Sequence, residues 1–462
     1  MNDLNATESN STEHVVSKTS IIPVFGAFSG WLMDGYVSIG YLLVAFTLST
    51  QFFPPSFDST LQVSSSCNLS LVVIFLGLPF GAVARIVGSI TLGNFLGDRY
   101  GRRTMLVYSI IGFSIFSFAI AFLPIYSQVG YIAPVLLYIL LFMVGIFAGA
   151  EYAGGAALSM ENVPQKSRLF IGSFVQSGYG VGFFLISLVI YLIEGPFHIS
   201  ADWAWRYMYL TTIIPALAAL VIRLFTSETE VFKNMQKEGK LEKVPLFGII
   251  KQLREYFATF LILSGLLFIN IITFSFFPTL LIMFDHISYP TLGPSALIAK
   301  MGIQNAYINL VSLAGVWIGG FAGYYLFRRK LSLSVFTVLF FIAFIPAYLL
   351  TPVSNQMAVV AFSIIAFFEA AIFSSIPAFL TETFNKAHRT TAVGTVYNFA
   401  ALPASFALAL ILYLWCKLND STSIAFLLEL WLSFVIIGIA VMAIGIFLSK
   451  ETANSGTDSI TT

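Results

Sequence analysis

The chain has 462 residues, 58% of them hydrophobic and only 10% charged, which excludes an ordinary water-soluble protein of this length. Twelve membrane spans of about 20 apolar residues need roughly 240 positions, and 58% of 462 residues supplies about 268. The net charge of +1 points to neither nucleic acid nor an acidic partner, so the information lies in where the charges sit.

Met1 to Ser20 is rich in Ser, Thr and Asn and lacks the apolar core and small-residue cleavage site of a removable signal, so residues 1–20 read as a disordered tail. Apolar runs broken by polar, Gly or Pro punctuation then predict spans at 21–50, 71–97, 104–124, 131–161, 169–193 and 205–226. A second set follows at 256–284, 296–327, 331–351, 357–382, 390–416 and 423–449. Between the sets, 227–255 is the longest hydrophilic stretch and reads as a linker joining six-helix halves at 21–226 and 256–449, with a tail at 450–462.

An even number of spans puts both termini on one side. With this layout nineteen Lys and Arg fall on the side of the termini and three, Arg206, Lys300 and Lys417, on the other, while Arg85 lies inside a span. By the positive-inside rule both termini and the linker are expected in the cytoplasm, in a multi-pass protein of the plasma membrane.

The halves repeat a polar signature. Gly93-x-x-x-Gly97-Asp98-Arg99-Tyr100-Gly101-Arg102-Arg103 after the second span returns as Gly319-x-x-x-Gly323-Tyr324-Tyr325-Leu326-Phe327-Arg328-Arg329 after the eighth. Glu161 with Arg168 after the fourth span returns as Glu382 with Arg389 after the tenth, and Glu228-Thr229 returns as Glu451-Thr452. A recurrence at one near-constant offset marks a duplicated transporter architecture.

At these residues the chain resembles the major facilitator superfamily, over almost its whole length. The run from Gly149-Ala150-Glu151-Tyr152 to Gly182, together with Arg85 and Gly30-Trp31-x-x-Asp34-Gly35-Tyr36, is similar to the metabolite:proton and sialate:proton symporter branches. The resemblance implies an all-α membrane fold of twelve helices in two pseudo-symmetric halves. It also implies a cytoplasmic latch in which Asp98 meets a neighbouring helix end, Arg102 reaches Glu161, and Arg328 with Glu382 repeats that pair. Glycines, an acid and arginines in a short loop let helices approach closely and let a carboxylate pair across helix ends. Because Tyr324 stands where the acid would recur, the second latch is expected to be asymmetric. The competing reading makes Arg99, Arg102 and Arg103 topology determinants alone.

Ionisable groups inside a span are costly and are therefore functional candidates. Asp34, Arg85, Glu151 and Glu369 all fall about 15–20 Å from the cytoplasmic helix ends, in the middle of a core about 30 Å thick. Helices one and four line the cavity in the family fold, so Asp34, Arg85 and Glu151 are expected to cluster. Two carboxylates with one guanidinium leave a net negative charge, which makes Asp34 and Glu151 the expected proton-coupling pair and Arg85 the expected clasp for an anion. The alternative is a permanent Asp34–Arg85 pair that only fixes packing. Glu369 is either a substrate contact, a second proton site or a helix–helix contact. Arg223, Asp285 and Glu429 are expected at the membrane boundary.

Weaker candidates for substrate contact are Gln176, Tyr179, Asn270, Gln304, Asn305, Asn309, Tyr397 and Asn398, each of which also suits an interhelical hydrogen bond. Cys67 and Cys416 fall outside the cell on different halves; since a bridge would oppose rocking, both are expected to be free thiols. The four histidines lie in the tail or near loops, and no Walker loop or nucleophile–base set is present, so the expectation is no enzyme, no catalytic or metal-binding residue and no cofactor. The expected protein is a monomeric proton-coupled symporter of a small organic anion, its partners being substrate, H⁺ and lipid. Phosphate, sugar or antiported cationic-drug cargo stays open, as does a transport-like sensor.

Overall fold

The computed structural model describes residues 21–54, 69–92, 100–161, 163–226, 236–238, 249–326, 328–352, 354–385, 389–418 and 424–452. The expected N-terminal tail, the expected C-terminal tail from residue 453 on and most of the expected linker 227–255 lie outside these residues, as do Gly93, Gly97, Asp98 and Arg99 of the loop motif.

Apolar runs at the predicted places form helices because lipid cannot satisfy a bare backbone. In chain order they are α1 (Ile22–Leu43, continued after a 59° bend by Ala45–Phe52), α2 (Leu69–Leu92), α3 (Arg102–Ile120), α4 (Ile132–Glu161), α5 (Arg168–Glu194) and α6 (Ala201–Leu224). The second half follows as α7 (Leu253–Ser288), α8 (Pro294–Leu326), α9 (Arg329–Leu350), α10 (Asn355–Thr383), α11 (Arg389–Leu418) and α12 (Ile424–Leu448). Proline interrupts several of them. Pro215, Pro278 and Pro377 stand just after breaks in α6, α7 and α10, where each removes an N–H and frees a carbonyl of the preceding turn.

The repeat read from sequence is also a repeat of packing. A Cβ on Gly88 of α2 would lie 1.8 Å from the Ile146 carbonyl oxygen of α4, so only glycine allows this approach. In the other half a Cβ on Gly315 of α8 would lie 2.1 Å from the Phe367 carbonyl oxygen of α10. These pairs are related by nearly the offsets that relate the loop motifs, and each welds two helices of one half together.

The halves meet at both ends of the bundle. At the basic end, which carries Arg168, Arg329 and Lys450, the Arg329 Nη2 donates to the Gln165 carbonyl at 2.8 Å. At the opposite end Gly302 of α8 packs on the Ser187 carbonyl of α5, and the Ala201 amide donates to Ser295 Oγ at 3.1 Å. Between these closures lies a cavity of about 240 Å³.

The thiol expectation is corrected. Cys416 at the end of α11 is disulfide-bonded, and with two cysteines in the chain its partner is Cys67, which lies outside the described residues. The physical reason is proximity of the two halves here: α11, which carries Cys416, packs on α2. Intact protein alkylated without reductant is expected to gain no label, and protein reduced first to gain two; a single-step label on unreduced protein would contradict the bridge.

Candidate functional site

The cavity is built around one ion pair. Asp34 of α1 is 2% exposed, and Arg85 of α2 grips it in a fork, Nη1 to Oδ2 at 3.0 Å and Nη2 to Oδ1 at 2.5 Å. Ser38, one helical turn beyond Asp34, donates to Oδ1 at 2.9 Å and accepts from Arg85 Nη2 at 3.0 Å. Two parallel charge-assisted bonds plus a hydroxyl are the geometry that makes a charge pair tolerable away from water. Arg85 is held from behind, because Gly149 of α4 presses on its backbone, where a Cβ would come within 2.1 Å of the Arg85 carbonyl oxygen. The guanidinium keeps its outer edge on the cavity, its side chain being 21% exposed.

The rest of the wall is neutral. Trp31 stands beside Tyr179 and Tyr397, with ring centroids 5.3 and 6.0 Å away. Gln176 Oε1 and Asn309 Oδ1 are buried acceptors without a hydrogen-bond partner among the described residues, and both residues line the cavity. Asn398 also lines it, but its Nδ2 donates to the Gly149 and Gly394 carbonyls, both at 2.9 Å, so it ties the halves together. Three of the expected substrate contacts are not on the wall. Asn305 is buried within the packing around α8 and donates to the Met301 carbonyl at 3.2 Å; Glu369 sits behind Asn270, whose amide reaches it at 2.8 Å. Gln304 is likewise away from the cavity.

With this geometry in view, the chain can be compared with known proteins. The Major Facilitator Superfamily model matches residues 37–408, well over half of the sequence. The chain belongs to the Major Facilitator Superfamily. It is 33% identical to the shikimate transporter of Escherichia coli over 216 residues, 46% of this chain and 47% of that protein, so the match spans about half the length of that relative. It is 27% identical to a putative metabolite transport protein of Haemophilus influenzae over 91% of this chain and 93% of the other. Among solved structures the xylose transporter XylE of E. coli, partially occluded and inward open, superposes with a TM-score of 0.66 at 18% identity, covering 94% of this chain and 98% of the other; it shares the fold. The protein is thus a membrane transporter of this superfamily and not an enzyme.

Within this superfamily fold Glu151 departs from the expected three-residue cluster. It pairs with Arg223 of α6, Nη2 to Oε1 at 2.6 Å, and both are buried. Arg223, expected to snorkel at the boundary, is 0% exposed. The signal for this was present: Ala216, Ala219 and Arg223 are the buried residues of the second segment of α6, small residues one and two turns before the arginine on the face turned to the bundle. Gly30 makes the room, since a Cβ there would lie 1.7 Å from Glu151 Oε1. Two acids now face two guanidinium groups. The net negative charge expected from Asp34, Arg85 and Glu151 is cancelled, and with it the reason for placing a proton on Glu151. Asp285 also differs from expectation; it is fully buried, paired with Lys300 at 2.8 Å and bonded by the Asn355 amide.

At the basic end Arg328 caps α9 and is exposed, while the adjacent Arg329 makes the pair expected of Arg328. Its Nε and Nη2 reach the two oxygens of Glu382, both at 2.8 Å. One residue along a helix turns a side chain by about 100°, enough to move it from solvent to interior. Arg168 of the first half joins Glu382 at 3.4 Å and so spans the halves. Arg389 is buried, with Nε donating to the Phe384 carbonyl at 3.3 Å, and Arg103 donates to the Leu224 carbonyl at 2.8 Å. Gly101 takes φ 113°, a conformation suited to glycine, just before α3. The side chains of Arg102 and Glu161, and the Asp98 contact, lie outside the described residues.

Breaking one member of a buried pair strands the other. Arg223→Met is therefore expected to destabilise the protein by about 3–5 kcal/mol, read as a lower thermal midpoint in detergent, and Glu151→Gln combined with Arg223→Met to recover most of the loss. Equal midpoints for the single and double variants would remove the pair from the structural account.

Proposed function

We propose that this transporter is a proton-coupled symporter of small carboxylate anions, working by alternating access as a monomer in the plasma membrane with its basic end in the cytoplasm. The observation that carries the reading is that Arg85 is the one cation lining the cavity among the described residues, and that it is already clasped by Asp34. A substrate carboxylate competes with Asp34 for the same fork. Protonating Asp34 releases the guanidinium to the substrate, so that proton and anion arrive together. One proton and one anion leave the cavity charge unchanged, whereas either alone leaves a full uncompensated charge in a medium where that is costly.

The relatives support this chemistry without specifying the cargo: one is a shikimate transporter, and another, 33% identical over 44% of this chain, is a proline/betaine transporter. A second reading, a zwitterionic carboxylate, is favoured by the Trp31, Tyr179 and Tyr397 rings, whose faces attract a cationic end while Arg85 holds the acid.

Purified protein in liposomes is expected to accumulate labelled shikimate, or betaine under the second reading, faster as the outer pH falls below the inner pH. The sign follows from mass action: a proton taken up with each anion makes uptake faster when protons are more concentrated outside. Asp34→Asn is expected to retain binding and lose its pH dependence. Arg85→Gln removes charged hydrogen bonds of about 1.5–3 kcal/mol and should weaken binding about 10- to 100-fold. Uptake of carboxylates that ignores the gradient in the wild type and survives both substitutions would end this reading.

A further inference from the structure

Once Arg223 balances Glu151 and Arg85 balances Asp34, one acid in the middle of a span is left without a counter-charge. Glu369 of α10 is 0% exposed and makes no ion pair among the described residues. Its two oxygens meet two neutral groups of α7: Asn270 Nδ2 at 2.8 Å on Oε1, and Thr273 Oγ1 at 2.6 Å from Oε2.

The threonine decides how that second contact is made. Its oxygen is also 2.7 Å from the Ile269 carbonyl, one turn back on its own helix. A hydroxyl has one hydrogen and two lone pairs, and a carbonyl can only accept. If the hydroxyl hydrogen goes to Ile269, the short contact with Glu369 needs a hydrogen from the carboxyl group, which is then protonated and donates to Thr273. The other assignment leaves a buried carboxylate with two neutral donors and no cation, which membrane depth penalises heavily.

Nothing nearby relieves such a charge. Gly315 and Gly319 of α8 press on the backbone of Phe367 and Ala371, closing the helix seam on either side of Glu369. The charged and titratable groups on the packed elements stand elsewhere: Arg254, Glu255, Tyr256, Asp285 and His286 toward the ends of α7; Lys300, Tyr324 and Tyr325 toward the ends of α8; Arg329, Lys330 and Tyr348 toward those of α9; and Glu382 on α10, thirteen residues or about 20 Å away. Tyr307 of α8 is 60% exposed, away from the interior. Asp34 and Arg85 are engaged with each other across the cavity.

We propose that Glu369 is the proton-binding site of the second half, holding its proton in this conformation and exchanging it with the cavity past Asn270. Asn270 both lines the cavity and bonds Glu369 directly, so it links the two. Thr273 sits in the break of α7, between Ile272 and Phe277, and Asn270 in the helical turn just before it; in the same break Phe274 meets Phe183 of α5 across the halves at 6.2 Å. Loss of the proton from Oε2 to cavity water turns a donor to Thr273 into an acceptor only, so the hydroxyl must turn from Ile269 to the carboxylate. Protonation is thereby coupled to the shape of the α7 break and to a contact that closes the cavity.

The inference rests on the symport reading but is tested without a substrate. Infrared spectra of the purified full-length protein in lipid at neutral pH are expected to show the carbonyl stretch of a protonated carboxyl group, kept in Asp34→Asn and lost in Glu369→Gln. Thr273→Val should shift the band by removing its acceptor. Glutamine reproduces the neutral acid, with its oxygen accepting from Asn270 and its amide donating to Thr273, so Glu369→Gln is expected to keep the wild-type thermal midpoint. A spectrum that Glu369→Gln leaves unaltered, or a large drop in midpoint together with an unaltered spectrum in Thr273→Val, overturns the proposal. A wild-type spectrum without a protonated-carboxyl band, with Asp34-dependent uptake of shikimate intact, would sink this site and spare the symport reading. A Glu369 band in a protein whose uptake ignores Asp34 would do the reverse.

Discussion

A charge at the centre of a bilayer must be cancelled where it stands, and the arrangement of this protein follows from that constraint. The described residues meet it with matched pairs: Asp34 with Arg85 facing the cavity, Glu151 with Arg223 in the packing behind it, Asp285 with Lys300 at one end and Glu382 with Arg329 at the other. The pairs differ in what they can do. Glu151 and Arg223 are sealed between helices of one half and serve to fix those helices. Asp34 and Arg85 border empty space, so the partner of either can be exchanged.

The same division appears in the apolar packing. Within each half, α2 meets α4 and α8 meets α10 backbone to backbone through Gly88 and Gly315, an approach too close to slide. Between the halves, Asn398 to the Gly149 carbonyl beside the cavity and Arg168 to Glu382 at the basic end are single polar contacts that can part. Rigid halves with contacts that part at the basic end let that end open, while the bond at Cys416 holds the opposite end covalently.

Much of this could be read in the amino-acid sequence, for physical reasons that also mark the limit. Spans and halves were legible because lipid demands long apolar runs and leaves charges at their ends. The four mid-membrane ionisable residues stood out for the same reason. Partnership was not legible, since it depends on helix rotation: Arg328 and Arg329 are neighbours in sequence, yet one is exposed and the other buried against Glu382. Arg223 lay near a helix end, where a long side chain ordinarily escapes to water, and only the small residues one and two turns before it marked an inward face. The Cys416 bond depended on α2 lying against α11, a neighbour relation between halves that no local pattern encodes. Asn270 and Thr273 were unremarkable polar residues until the break in α7 set both against Glu369.

The Asp34–Arg85 pair bears on the direction of coupling as well as on recognition. A carrier that performs symport must return empty, and an empty cavity holding a lone guanidinium would resist closure because its charge would be stranded. In the proposed symport the cavity without cargo is neutral, since Asp34 engages the fork that a substrate carboxylate would take. Proton alone leaves the cavity with an excess positive charge, and anion alone with an excess negative one, so neither half-loaded form closes as readily. Only the empty and the doubly loaded forms are electrically balanced. An obligate exchanger needs the opposite, a cavity that closes with cargo and stays open without it. The self-satisfied ion pair therefore favours symport over exchange on the ground of charge alone, before any contact to a particular substrate is considered.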